Sequence, residues 1–168
     1  ANAGAEILAE SSRLLRVAIR PEDLNSLAQV DGVGLVRQPI RPFPQITTEG
    51  LSLIDAVPRH QNGVTGQGVK VAIIDGGFEE ANVLGADMPP TWQYLDYTGE
   101  GIYEGGSHGT ACAEVIHDIA PDAELYFLRV DDLIDLELAA SLVVRDGIDI
   151  VNHSMSWVGT GFGDGRGW

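Results

Sequence analysis

Val69 to Ile74 (VKVAII) is a nearly unbroken apolar run set between Gly68 and Asp75-Gly76-Gly77. A strand with apolar residues at odd and even positions alike has no face to give to water, so it belongs at the centre of a sheet covered on both sides. The chain from residue 61 onward supplies the cover. Trp92 to Tyr97 reads as a weaker strand, and residues 108–118, after Gly105-Gly106-Ser107, as a helix. Pro121-Asp122 is a turn, Glu124 to Val130 (ELYFLRV) a strand, and Asp131 or Asp132 the N-cap of an amphipathic helix from Leu133 to Arg145 that Gly147 stops. Ile148 to Asn152 follows as a further strand. Strands alternating with helices over short links imply parallel pairing and right-handed crossovers. The predicted class is α/β, with a mostly parallel central sheet between two helical layers.

The first 60 residues have another character. Leu14 to Ile19 reads as a strand, Pro21-Glu22-Asp23 opens a helix that runs to Val30, and Val33 to Ile40 reads as a second strand, which makes a small β-α-β unit. Pro42 and Pro44 mark an extended linker, and Thr47 or Thr48 caps a short helix through Leu51, Leu53 and Ala56 with Pro58 near its end. Charge divides the chain at the same place. Residues 1–60 hold six Lys+Arg against seven Asp+Glu, a net of −1, while residues 61–168 hold four against eighteen, a net of −14. The predicted organisation is therefore a β-α-β unit at 1–41, a linker with a short helix at 42–60, and an α/β unit at 61–168.

The same charge excludes some functions. A net of −15 and a pI near 4.3 do not suit a protein that grips nucleic acid or an anionic membrane through a basic surface. With 44% hydrophobic and 21% charged residues, the chain is not a disordered acidic tail either. Cys112, the single cysteine, rules out an intrachain disulfide framework and a multi-cysteine zinc site. No apolar run approaches the roughly 18 residues of a membrane span, and Ala1 to Glu10 lacks the hydrophobic stretch of a signal peptide.

Reactive groups in open α/β sheets collect at the carboxyl ends of the strands. Asp75 lies at such an end, and His108 opens a helix. If their elements are neighbours, the carboxylate can fix the imidazole tautomer while the histidine acts as general base. The remaining candidates have plainer readings. His60 is a solvated linker residue and His117, beside Asp118, a surface helix residue. His153 serves either substrate contact or packing. Cys112 reads as a buried inert thiol. Asp131, Asp132, Asp135 and Glu137 are calcium candidates, against the alternative that they cap the helix and complement its dipole. The glycine-rich GTGFGDGRG at 159–167 lacks the following helix and Lys-Ser or Lys-Thr of a phosphate-binding loop.

GVTGQGVKVAIIDGGF (63–78) resembles the aspartate region of the subtilisin-like serine proteases. SHGTACAE (107–114) is similar to the histidine region of that family, IAPDAELYFLRV to the turn and strand after it, and GIDIVNHSMSW (147–157) to the strand that lines its substrate cleft. The motifs stand in the family's order over roughly residues 45–168.

The resemblance implies a subtilisin-like three-layer fold, Asp75 as the orienting acid and His108 as the general base. It implies that Ser154, Met155 and Ser156 form the edge to which an extended peptide or protein substrate adds as a strand. It also implies a secreted or extracytoplasmic serine endopeptidase with no required cofactor, with calcium a candidate ligand, and with an N-terminal propeptide whose last segment enters the cleft. Several residues depart from the family pattern. Gly76 follows the aspartate where Ser or Thr is usual, Ala111 and Glu114 replace commoner residues, and Ser156 and Trp157 stand in place of small ones. The Gly-Thr-Ser-Met-Ala motif of the family's nucleophile and its oxyanion asparagine do not occur in the 168 residues. The expectation is that both lie in a C-terminal part of the catalytic domain beyond Trp168, and that these residues alone do not hydrolyse peptides. The alternatives are a peptide-binding pseudoenzyme and one half of a two-chain protease.

Overall fold

The computed structural model describes residues 4–39, 43–44, 51 and 53–158. Its N-terminal elements are β1 (Glu6–Glu10), β2 (Leu15–Ala18), α1 (Leu24–Ala28), the two-residue strand β3 (Phe43–Pro44) and α2 (Ala56–Gln61). The larger part comprises β4 (Lys70–Asp75), β5 (Gln93–Asp96), α3 (His108–Ile119), β6 (Glu124–Arg129), α4 (Leu133–Arg145), β7 (Ile150–Asn152) and β8 (Met155–Ser156).

Four strands form a parallel sheet in the order β5-β6-β4-β7. β4 is central, with Ile73 opposite Phe127 on β6 and Asn152 on β7. The two-residue period of a strand sends its side chains to alternate faces. Val71 and Ile73 accordingly join Phe78, Cys112, Ala113, Leu125 and Phe127 in the core layer beneath α3. Ala72 and Ile74 join Leu128, Val130, Ala139 and Leu142 in the layer beneath α4. Ile73, Leu125 and Phe127 in the first layer and Leu128 and Val130 in the second are all but fully buried, and each such side chain contributes about 1.5–3 kcal/mol. The α/β class and the mostly parallel sheet agree with the sequence reading.

Helix α4 starts where its sequence asks it to. The Asp132 carboxylate accepts hydrogen bonds from the Ile134 and Asp135 N–H groups at 2.8 and 3.1 Å, a cap contributing about 1 kcal/mol. At its end Gly147 takes φ +61, which a residue with a side chain rarely adopts.

The N-terminal part corrects the expected β-α-β unit. β1 and β2 form an antiparallel hairpin with an irregularity between Ile7 and Ala9, so a strand precedes the one read at 14–19. Residues 33–39 form no strand, and Ile40 lies outside the described residues. Gly32, at φ +89, ends the helical segment, and among the described residues no strand pairs with Val33 to Val36; Leu35 is 75% exposed. The short helix before the sheet also shifts. α2 begins at Ala56 after Asp55 in a left-handed conformation, placing Pro58 in the first turn, where its missing N–H is not needed. Thr47 and Thr48 lie outside the described residues.

Candidate active site

The alternation of β4 puts Asp75 on the same face as Val71 and Ile73, toward α3. There its carboxylate is 1% exposed. Oδ1 accepts the Gly76 N–H at 2.8 Å, and Oδ2 lies 2.8 Å from Nδ1 of His108, the first residue of α3. A carboxylate only accepts, so Nδ1 carries the hydrogen in this contact. Burial pushes the Asp75 carboxyl above the usual carboxylate range, opposed by its hydrogen bond with His108 and by the Gly76 N–H.

Glycines allow the approach. The Gly109 N–H donates to the Gly77 carbonyl at 3.1 Å. A Cβ at Gly109 would stand 2.5 Å from that oxygen and 2.8 Å from the Asp75 Cβ. A Cβ at Gly77 would run into the Glu104 carbonyl. Gly77 and Gly109 are thus the contact between the end of β4 and the start of α3.

Arg129, at the end of β6 and opposite Asp75 in the parallel register, is 3% exposed. Its Nε–H donates to the Gly76 carbonyl at 3.0 Å, Nη1 donates to the Gly101 carbonyl at 2.7 Å and Nη2 to Glu100 at 2.8 Å. One side chain thereby ties the loop after Asp75 to the segment that leads into His108. Sequence reading missed this role, although an arginine closing the otherwise apolar ELYFLRV was its signal.

Cys112 is buried one helical turn after His108, its Sγ 4.0 Å from both imidazole nitrogens, and burial raises its thiol pKa. Asp75, His108 and Cys112 have ligand atoms within 4.8 Å of one another, the one such metal-compatible group among the described residues. The acidic residues around α4 are engaged otherwise. Arg16 of β2 donates to Asp132 and Asp135 at 3.1 and 3.0 Å, while the hydroxyls of Ser11 and Ser12 donate to Glu137 at 2.5 and 2.6 Å. Asp131 donates its backbone N–H to Asp135.

Ser154, Met155 and Ser156 follow β7 beyond the carboxyl edge of the sheet. The Ser154 hydroxyl donates to Asn152 at 3.2 Å. β8 pairs antiparallel with β3, Phe43 opposite Ser156 and Pro44 opposite Met155. An extended segment of the chain therefore already lies along the expected peptide edge. His60, read as solvated, instead contacts the Ile119 carbonyl through Nε2 at 2.8 Å, fastening α2 to the end of α3. The glycine-rich 159–167 lies outside the described residues.

No family model matches the chain. Among curated proteins it is similar to an alkaline protease of Alkalihalobacillus alcalophilus, 28% identical over 129 residues that cover 72% of this chain and 34% of that protein. Subtilisin BL of Lederbergia lenta is 32% identical over 116 residues, 66% of this chain and 40% of its own length. Subtilisin E of Bacillus subtilis is 32% identical over 132 residues, 67% of this chain and 33% of its own. The chain spans about a third of the length of these relatives.

Proposed function

Since the chain is related to the subtilisin-like proteases, we propose that it contributes the aspartate and histidine of an Asp-His-Ser triad to a secreted serine endopeptidase. The observation that carries this reading is the 2.8 Å contact between Asp75 and His108 Nδ1. With Nδ1–H held by the carboxylate, Nε2 takes the proton of an attacking serine hydroxyl as the Oγ–C bond to the substrate carbonyl forms. It then returns that proton to the leaving amine. Asp75 fixes the ring and stabilises the imidazolium without itself being protonated. The nucleophile and the oxyanion donor come from sequence outside these 168 residues, so the 168 residues alone are inactive.

The substrate is a peptide or protein bound in extended form along Ser154, Met155 and Ser156. Main-chain hydrogen bonds to a strand edge give affinity without regard to sequence. The seating of Phe43–Pro44 on β8 supports this. It also supports reading the N-terminal residues as an inhibitory segment that covers the edge until it is removed. Hydrolysis of an unfolded protein substrate by the natural gene product, abolished in His108→Ala, tests the proposal. Cleavage that survives His108→Ala would sink it.

A further inference from the structure

We propose that the oxygens gripping Arg16, on Asp132, Asp135 and the Tyr97 backbone, form a site for a hard divalent cation of calcium's size, and that this ion and the N-terminal hairpin compete for it. Such a site does not depend on the peptide-cleaving role proposed above. Arg16 of β2 reaches the start of α4 as a tethered cation. Its Nη1 donates to Asp132 Oδ2 at 3.1 Å and to Asp135 Oδ2 at 3.0 Å, and its Nη2 donates to the Tyr97 carbonyl at 3.2 Å. One nitrogen thus stands between two carboxylates, where a metal ion would stand. The helix cap leaves these atoms available, because the Ile134 and Asp135 N–H groups bind Asp132 through Oδ1. Glu137 is outside the set, since Ser11 and Ser12 hold it.

Charge and an orphaned oxygen point from the guanidinium to a divalent ion. One positive charge against two carboxylates leaves a net of −1 where the Asp132 side chain is 6% exposed and that of Asp135 is fully buried. Buried charge is costly unless it is paired, and a divalent ion balances both carboxylates. Asp135 Oδ1 is buried and has no hydrogen-bond partner among the described residues. Calcium binds carboxylates through one or both oxygens, so it can satisfy an atom that Arg16 leaves alone. All the ligands are oxygens, as a hard cation requires. Calcium–oxygen distances of about 2.3–2.6 Å ask the cradle to close by about half an ångström, whereas magnesium, at about 2.0–2.1 Å, asks for about twice that. Water completes the coordination from the side where the Arg16 side chain is 19% exposed. Two carboxylates and a carbonyl place the site in the weak class, with a dissociation constant of about 10⁻⁴–10⁻³ M.

The test uses terbium, a luminescent ion of calcium's size, on the natural gene product. Arg16→Ala should gain luminescence over the wild type, and calcium should quench the gain with a midpoint of about 10⁻⁴–10⁻³ M. Adding Asp135→Asn or Asp132→Asn to Arg16→Ala should weaken binding at least about tenfold by removing a charged ligand. Asparagine still caps a helix, and far-UV circular dichroism checks that α4 persists. In the wild type, calcium at ten times the constant measured on Arg16→Ala should speed hydrogen exchange of β1 and β2 about tenfold beyond sodium chloride of equal ionic strength. No gain of luminescence in Arg16→Ala, or a gain that survives both aspartate replacements, overturns the site. A pocket in Arg16→Ala that binds guanidinium ion but neither terbium nor calcium overturns it as well. Exchange of β1 and β2 that calcium leaves unchanged overturns the competition with the hairpin.

Discussion

Asp75 Oδ2 and His108 Nδ1 meet at 2.8 Å across 33 positions of sequence. The contact results from a strand whose period turns its last residue toward α3 and from a helix whose first residue overhangs that strand end. Glycines at 77 and 109 leave the backbones free to approach, and Arg129 fixes the loops on either side.

Asp75→Asn should leave the fold intact and remove the activity of the natural gene product. The asparagine oxygen can keep the Gly76 N–H, which turns its amide NH2 toward His108 and imposes the wrong tautomer. The expected fall in kcat is about 10⁴-fold, measured beside an unchanged near-UV circular dichroism spectrum.

Gly109→Ala should destabilise the protein by about 1–3 kcal/mol, the range for forcing extra atoms into a packed interior. The added Cβ meets the Gly77 carbonyl at 2.5 Å and Phe78 at 2.9 Å. Denaturant titration reads the loss, and activity should fall with it because the displaced atoms adjoin Asp75. An unchanged midpoint would mean that α3 does not approach β4 this closely.

Arg129→Met should cost about 3 kcal/mol, because it strips the Gly76 and Gly101 carbonyls of a buried charged donor. Arg145→Met is the control. Arg145 pairs with Asp146 on the exposed surface, where such pairs contribute little, so its unfolding curve should overlie the wild type.

The N-terminal hairpin should lose its anchor in acid. The hydroxyls of Ser11 and then Ser12, with the Arg13 charge, hold Glu137 below the usual carboxylate range. A depressed carboxyl contributes stability that is full above its unfolded value of about 4.3 and is lost as pH falls through its lower folded value. Asp135 runs the other way. Burial raises its pKa, so the stability it contributes is full below the usual carboxylate range and is lost as pH rises through its raised value. Hydrogen exchange corrected for intrinsic rate should show β1 and β2 losing protection below about pH 4 while β4 and β6 keep theirs. Parallel loss in all four strands would contradict this.

The sheet was legible because its sequence signals are local. VKVAIID and ELYFLRV are too apolar for any but central strands, and Asp131 or Asp132 is a cap by residue type and position, a role that Asp132 takes. The Asp75–His108 pairing was legible as soon as the two ends were assigned to neighbouring elements. What escaped depended on long-range partners. Nothing in EILAE announces a strand until Leu15–Ala18 pairs with it, and Val33 to Val36, suited to a strand, meets no edge among the described residues. His153 contacts the Ile74 carbonyl, 79 positions away. Arg129 likewise finds acceptors at 76, 100 and 101 that no spacing rule connects to it.

The central claim is that Asp75 and His108 activate a serine outside these residues. A fluorophosphonate probe, which bonds covalently to an activated serine, tests it most directly on the natural gene product. The account predicts labelling of one serine outside residues 1–168, lost in His108→Ala. Absence of labelling in the wild-type product, or labelling that persists without His108, would contradict it.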